Sequence, residues 1–175
     1  MQKVKITEAM MNWAQDKAND HRKGKRFVKS IDLHNSVLVG YIGDAVFQEQ
    51  YPDAIHVDES NYDFVYVNIE IDVKSWWSKY PPRNDYYVQI PTVDIIRSPE
   101  VYVFACIMDG FEYGYLVGHI DAKEFKKAST YRKKGEKGER AGKEIKYTTN
   151  CWELPVSQLE PLDSEQISQV LTVSF

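Results

Sequence analysis

The stretch YDFVYVNIEIDVKSWW, residues 62–77, decides how the chain is read. Its Val, Ile, Tyr, Phe and Trp residues favour β-structure. Asp63, Glu70, Asp72 and Lys74 interrupt it with groups that are costly to bury unless paired or metal-bound. A tight turn near Asn68 divides the stretch into DFVYV and IEIDVKSWW, a hairpin. Alternation then puts Glu70, Asp72 and Lys74 on one face of the second strand, with Ile69, Ile71 and Val73 on the other. Asp63, at the start of the first strand, converges with Asp72. Two carboxylates a few ångströms apart repel each other unless a divalent cation neutralises them, and hard oxygen ligands suit magnesium. The same four residues on a solvated sheet face, with an ordinary Asp–Lys pair, are the competing reading.

Upstream, TEAMMNWAQDKANDHRK (7–23) carries Thr7 as an N-cap and Met10, Met11, Trp13, Ala14 and Ala18 near helical spacing. Helical periodicity resumes over about 35–50, with Asn35 or Ser36 as the cap. Downstream, DYYVQIPTV reads as a third strand, and EVYVFACIMD and YGYLVGHI as a fourth and fifth joined by a turn at Asp109 and Gly110. DAKEFKKAS (121–129) is a short helix capped by Asp121, with Phe125 facing inward. The expected architecture is α/β, an α+β mixed sheet of about five strands flanked by helices. It forms one domain over 1–175, with a helical N-terminus (1–30), a core (about 36–128), a basic loop (131–146) and a C-terminal strand and tail (147–175).

With 43% hydrophobic and 27% charged residues the chain is too apolar for wholesale disorder. A net charge of −4 argues mildly against a nucleic-acid binder, but the basic residues are clustered. HRKGKRFVK (21–29) contains Lys25 and Arg26, and RKKGEKGERAGKEIK (132–146) contains Arg132, Lys133 and Lys134, all candidate phosphate contacts. Cys106 and Cys151 have no zinc or redox spacing, and His21, His34, His56 and His119 share none either. No signal pattern or membrane-length apolar run is present, so the expectation is a soluble cytoplasmic protein. P-loop and dinucleotide fingerprints are missing too.

An acid opening one strand and an acid-x-lysine tripeptide on the next, here Asp63 and then Asp72-Val73-Lys74, resemble the signature of the PD-(D/E)XK nuclease superfamily. The preceding helix carries GYIGDAVFQEQY, similar to the Gly-x-x-Gly-acid run of many relatives, with Asp44 where glutamate is commoner. The resemblance covers about residues 36–107 and extends loosely through YGYLVGHIDAKEFKKA. Pro52-Asp53 ends the helix and is not the motif acid.

The resemblance implies a restriction-endonuclease-like core, of a phage or mobile-element type, and metal-dependent hydrolysis of phosphodiester bonds in DNA. Asp63, Asp72 and the Val73 carbonyl would hold Mg2+, with Mn2+ as a substitute, and Lys74 would orient the attacking water or stabilise transition-state charge. Asp44 would complete the metal shell, with Glu49 as the substitute. Five residues put Glu49 about 140° around the helix from Asp44, so the two cannot serve one site equally. Gln89 could lean in from a neighbouring strand, and Trp76 and Trp77 face opposite ways, so at most one can stack on a base. DNA is the expected partner, a second copy of the chain a further candidate, and no membrane role is expected. The alternative is a catalytically inactive nucleic-acid-binding or assembly module that retains the fold.

Overall fold

The computed structural model describes residues 1–23, 31–57, 61–95, 99–140 and 143–162. In chain order these form β1 (Gln2–Lys5), α1 (Glu8–Lys23), α2 (Ile31–Gln50), β2 (Ile55–His56), β3 (Phe64–Tyr66), β4 (Ile69–Ser78) and β5 (Tyr87–Pro91). There follow β6 (Val101–Met108), β7 (Tyr113–Asp121), α3 (Ala122–Ala128), β8 (Thr130–Arg132), β9 (Lys137–Arg140), β10 (Lys143–Lys146), β11 (Cys151–Pro155) and a 3-10 turn at Val156–Gln158.

Local chemistry explains the boundaries that matter. The Thr7 hydroxyl accepts from the Met10 N–H at 3.2 Å and caps α1. Asp121 caps α3 by accepting from Lys123 and Glu124, and Phe125 is fully buried beneath it. Val67 and Asn68 take φ of 50° and 64°, the left-handed pair that a two-residue type I′ turn requires. The hairpin β3–β4 therefore forms where expected, with Phe64 opposite Ile71.

The main sheet has six strands in the order β1-β7-β6-β4-β3-β2. The long β4–β6 pair is parallel, from Ile71 opposite Val101 to Ser78 opposite Met108, and the other neighbours are antiparallel. Helices α1 and α2 cover one face through Ile42, Val46, Phe47, Phe64, Ile71 and Val103. Complete burial of each such side chain contributes on the order of 2 kcal/mol. Gly43 allows α2 to approach closely, because a Cβ there would run into the Ser75 side chain of β4; at Gly40 a Cβ would meet open space. The other face carries a second core of Val88, Ile90, Tyr102, Phe104, Phe125 and Leu154, roofed by α3 and a three-stranded sheet of order β5-β11-β8.

A mixed α/β arrangement is thus present, with corrections. The main sheet has six strands, not about five. The short, polar β1 was not expected, since of its four residues only Val4 is buried. DYYVQIPTV yields β5, which pairs with β11 in the smaller sheet because alternate Val88 and Ile90 fill the second core. α2 begins at Ile31, so Asn35 and Ser36 lie inside it and not at its start; no Gly or Pro between 31 and 36 stops the helix earlier. The basic segment 131–146 is no loop: it contains the end of β8 and the hairpin of β9 and β10, in which Lys143 pairs with Arg140. Gly135, at φ 86°, makes the turn that leads into this hairpin.

Candidate active site

β3 begins only at Phe64, opposite Ile71, so beyond Ile71 that edge of β4 pairs with no strand among the described residues. The ladder ends on Asp63. Its N–H donates to the Ile71 carbonyl at 2.9 Å, and its Oδ2 accepts from the Val73 N–H at 2.8 Å. A strand residue presents its N–H and C=O to the same side, so the Val73 carbonyl belongs to this same open edge.

Asp72 is 4% exposed, and the Asp63 carboxyl is close enough to feel its charge directly. Burial, and next the negative charge of Asp72, push the Asp63 carboxyl up to about 7 from an ordinary 3.8, although the Val73 N–H and Lys74 pull it down. Lys74 Nζ stands 2.8 Å from Asp72 Oδ2. That is an ion contact without the direction of a hydrogen bond, and Asp72 Oδ2 is a buried oxygen with no hydrogen-bond partner among the described residues. Asp94, from the loop after β5, lies 4.0 Å from the same Nζ. Burial, then the charges of Asp72 and Asp94, push the Tyr102 phenol up to about 12. Three acids and one lysine therefore act on one another electrostatically.

The structure brings together Asp63, Asp72, Val73 and Lys74. It treats the helix acids differently. Asp44 is buried on α2, which packs on the sheet face of Val73 and Ser75, opposite to Asp72 and Lys74. Among the described residues no three His, Cys, Asp or Glu side chains form a group able to hold a metal ion, so Asp44 does not make a third carboxylate beside Asp63 and Asp72. Glu49 is exposed and lines a separate cleft with Trp13 and Pro52.

Of the basic candidates, Lys25 and Arg26 lie outside the described residues. Lys133 and Lys134 are exposed, whereas Arg132 is committed inward, with Nε donating to Glu153 at 2.7 Å and Nη1 to Glu136 at 2.9 Å. Glu153 was missed in the sequence. It is 3% exposed and also accepts from Arg140 at 2.6 Å and from Tyr147 at 2.7 Å. Burial raises its carboxyl, but the bonds from Tyr147, Arg132 and Arg140 outweigh burial and hold it below the usual carboxylate range. An acid between Trp and Leu in CWELP was the available signal.

Beside Lys74 opens a cleft of about 740 Å³ between the main sheet and the smaller one. Trp76 and Gln89 line it, while Trp77 turns away and is 46% exposed, as strand alternation requires.

No protein-family model and no curated protein matches the chain.

Proposed function

We propose that the chain is a metal-dependent deoxyribonuclease that hydrolyses phosphodiester bonds in DNA, built on a restriction-endonuclease-like core. The observation that carries this reading is the convergence of Asp63, Asp72 and Lys74 at the open edge of β4. A solvated sheet face would not push the Asp63 carboxyl up to about 7.

The residues fit a divalent cation. Asp72 Oδ2 is buried and meets the Lys74 ammonium at 2.8 Å in an ion contact, with no directed hydrogen bond among the described residues, and Asp63 is held beside Asp72 at an electrostatic cost that further positive charge would relieve. Mg2+ is commonly held by only one or two carboxylates plus waters and substrate phosphate oxygens, so two aspartates and the Val73 carbonyl suffice without Asp44. Mn2+ could take the same set. When bound, such an ion supplies Lewis acidity at a non-bridging phosphate oxygen and lowers the pKa of a coordinated water.

The chain's own groups do the rest. Asp63, deprotonated and with its Oδ2 fixed by the Val73 N–H, would hold the cation, the proton passing to solvent. Lys74 would present its ammonium to the negative charge that develops on the phosphate oxygens. The test is cleavage of single-stranded and duplex DNA with Mg2+ or Mn2+, against chelator and Asp72→Asn. Activity lost in both controls is expected, with the melting temperature of the variant unchanged or raised. A wild-type protein that binds neither ion and cleaves no DNA refutes the reading.

One observation favours the alternative, a nucleic-acid-binding or assembly module without catalysis: Lys74 already neutralises Asp72 at 2.8 Å, which a non-catalytic ion pair would also do. That reading expects DNA binding without cleavage under every metal condition.

A further inference from the structure

The cleft beside Lys74 has a composition of its own. Lys74, Asp94, Arg140, Trp76, Tyr87 and Gln89 all line it. At about 740 Å³ it has the size of pockets that enclose a single small ligand, commonly ~300–1,000 Å³. Its walls offer flat rings and planar polar groups. The Arg140 guanidinium lies 5.4 Å from the Tyr87 ring centroid. One of its nitrogens is spent on Glu153, but Nε is buried with no hydrogen-bond partner among the described residues. Among the described residues the Gln89 amide donates to Cys151 Sγ, a weak acceptor, and to Glu153 Oε2 at a long 3.4 Å. An amide held so weakly exchanges readily to a better partner.

We propose that this cleft receives one unpaired nucleotide of a DNA strand, its phosphate at Lys74 and its base among Trp76, Tyr87, Gln89 and Arg140. The inference rests on the nuclease reading, because Lys74 is the residue shared by the carboxylate pair and the cleft. Rings stack on any base, and the amide and guanidinium offer hydrogen bonds to a base edge. In a continuous duplex those edges are paired and the faces stacked, so the strand must present a nucleotide that is unpaired or extruded. The charge balance selects a nucleotide within a strand over a free one. Asp94 sits 4.0 Å from Lys74 Nζ, and it opposes the nearly doubly charged monoester of a free nucleotide more than the single charge of a diester.

The experiment measures binding by fluorescence anisotropy with calcium in place of magnesium, using a single-stranded oligonucleotide, the matching continuous duplex, and a duplex with one unpaired internal nucleotide. Electrostatics alone favours the duplex, which has the higher charge density. The expected result is the reverse, tighter binding of the two substrates with an unpaired base by about tenfold or more, the scale of one stacked base. Tyr87→Ala and Gln89→Leu should each reduce that preference several-fold. Both side chains are exposed, Tyr87 at 37%, so the fold should survive and thermal melts will verify it. Equal binding to all three substrates overturns the inference, as does a preference unchanged in both variants. Deoxythymidine monophosphate that competes as tightly as the oligonucleotide overturns the assignment to a strand. Cleavage assayed in parallel with magnesium separates the two readings. Lys74-dependent cleavage without the preference overturns the cleft alone; the preference without cleavage upholds the cleft and overturns the nuclease.

Discussion

Asp63→Asn tests the strained carboxylate pair without needing a substrate. Asparagine keeps an oxygen for the Val73 N–H, so the 2.8 Å bond that ends the ladder survives. What disappears is a carboxyl whose proton affinity folding raises from an ordinary 3.8 to about 7. The folded state binds that proton more tightly than the unfolded chain does. Its contribution is therefore fully present below about pH 4 and is lost as pH rises through about 7. Each tenfold change in proton affinity is worth about 1.4 kcal/mol, so the ceiling is roughly 4 kcal/mol; partial exposure and sharing of the proton with Asp72 reduce it to about 2–3 kcal/mol. The assay is urea unfolding of wild type and variant in chelator at half-unit steps from pH 4 to 8. The stability difference, variant minus wild type, should grow by that amount as pH rises, with Asp63→Asn the more stable at pH 8. Saturating Mg2+ should narrow the gap by stabilising only the wild type. A difference that stays flat across the range would mean that Asp63 ionises normally, and the argument for a cation-seeking pair would fall.

Lys74→Ala should lower turnover on DNA by about 100-fold or more, well beyond the several-fold loss of affinity in calcium expected from one missing phosphate contact, measured by single-turnover kinetics and anisotropy. Neither Asp44→Ala nor Glu49→Ala should abolish cleavage while the variant stays folded, because Asp44 lies on the sheet face opposite to Asp72 and Lys74 and Glu49 lies in the cleft beside Trp13; a folded Asp44→Ala without cleavage would show that the helix acid does serve the site. Glu153→Gln should destabilise the chain by about 3–5 kcal/mol in urea unfolding, since it leaves Arg132 and Arg140 inadequately paired. Val67→Asn should raise stability by about 0.5–1 kcal/mol, because a β-branched residue is poorly suited to φ 50° and its side chain, 55% exposed, packs little.

Most of what surrounds the site could be read in the sequence because local rules govern it. Thr7 and Asp121 cap helices by short-range hydrogen bonds, the turn at Asn68 is set by chain reversal, and alternation along β4 separates Asp72 and Lys74 from Val73. Features fixed by long-range pairing could not be read. Nothing local in DYYVQIPTV states that β5 joins β11, some sixty residues on, through pairs such as Gln89 with Glu153. The basic segment misleads for the same reason: its charges suggest solvent, but Arg132 and Arg140 turn inward because a buried glutamate, distant in sequence, requires them. Asp94 escaped notice because a lone acid in a loop gains meaning only when the fold sets it 4.0 Å from Lys74.

The brevity of β3 is what makes the site available. β3 has three residues and its register with β4 stops at Phe64 opposite Ile71, while β6 stays paired to the other edge of β4 as far as Ser78. Had β3 begun two residues earlier in regular pairing, a backbone carbonyl would have taken the Val73 N–H. Asp63 would still have stood opposite Asp72, as the register of Phe64 with Ile71 requires, but its carboxylate would have had no backbone donor to hold it in the plane of the sheet. The early end of the ladder instead leaves one donor that only a side chain can reach. Asp63 fills that place at 2.8 Å, and in doing so is held against Asp72. Backbone satisfaction thus holds the two charges together, and the resulting repulsion is what a cation would relieve. A substitution that restored the ladder without Asp63 would remove the carboxylate pair while leaving the sheet stronger.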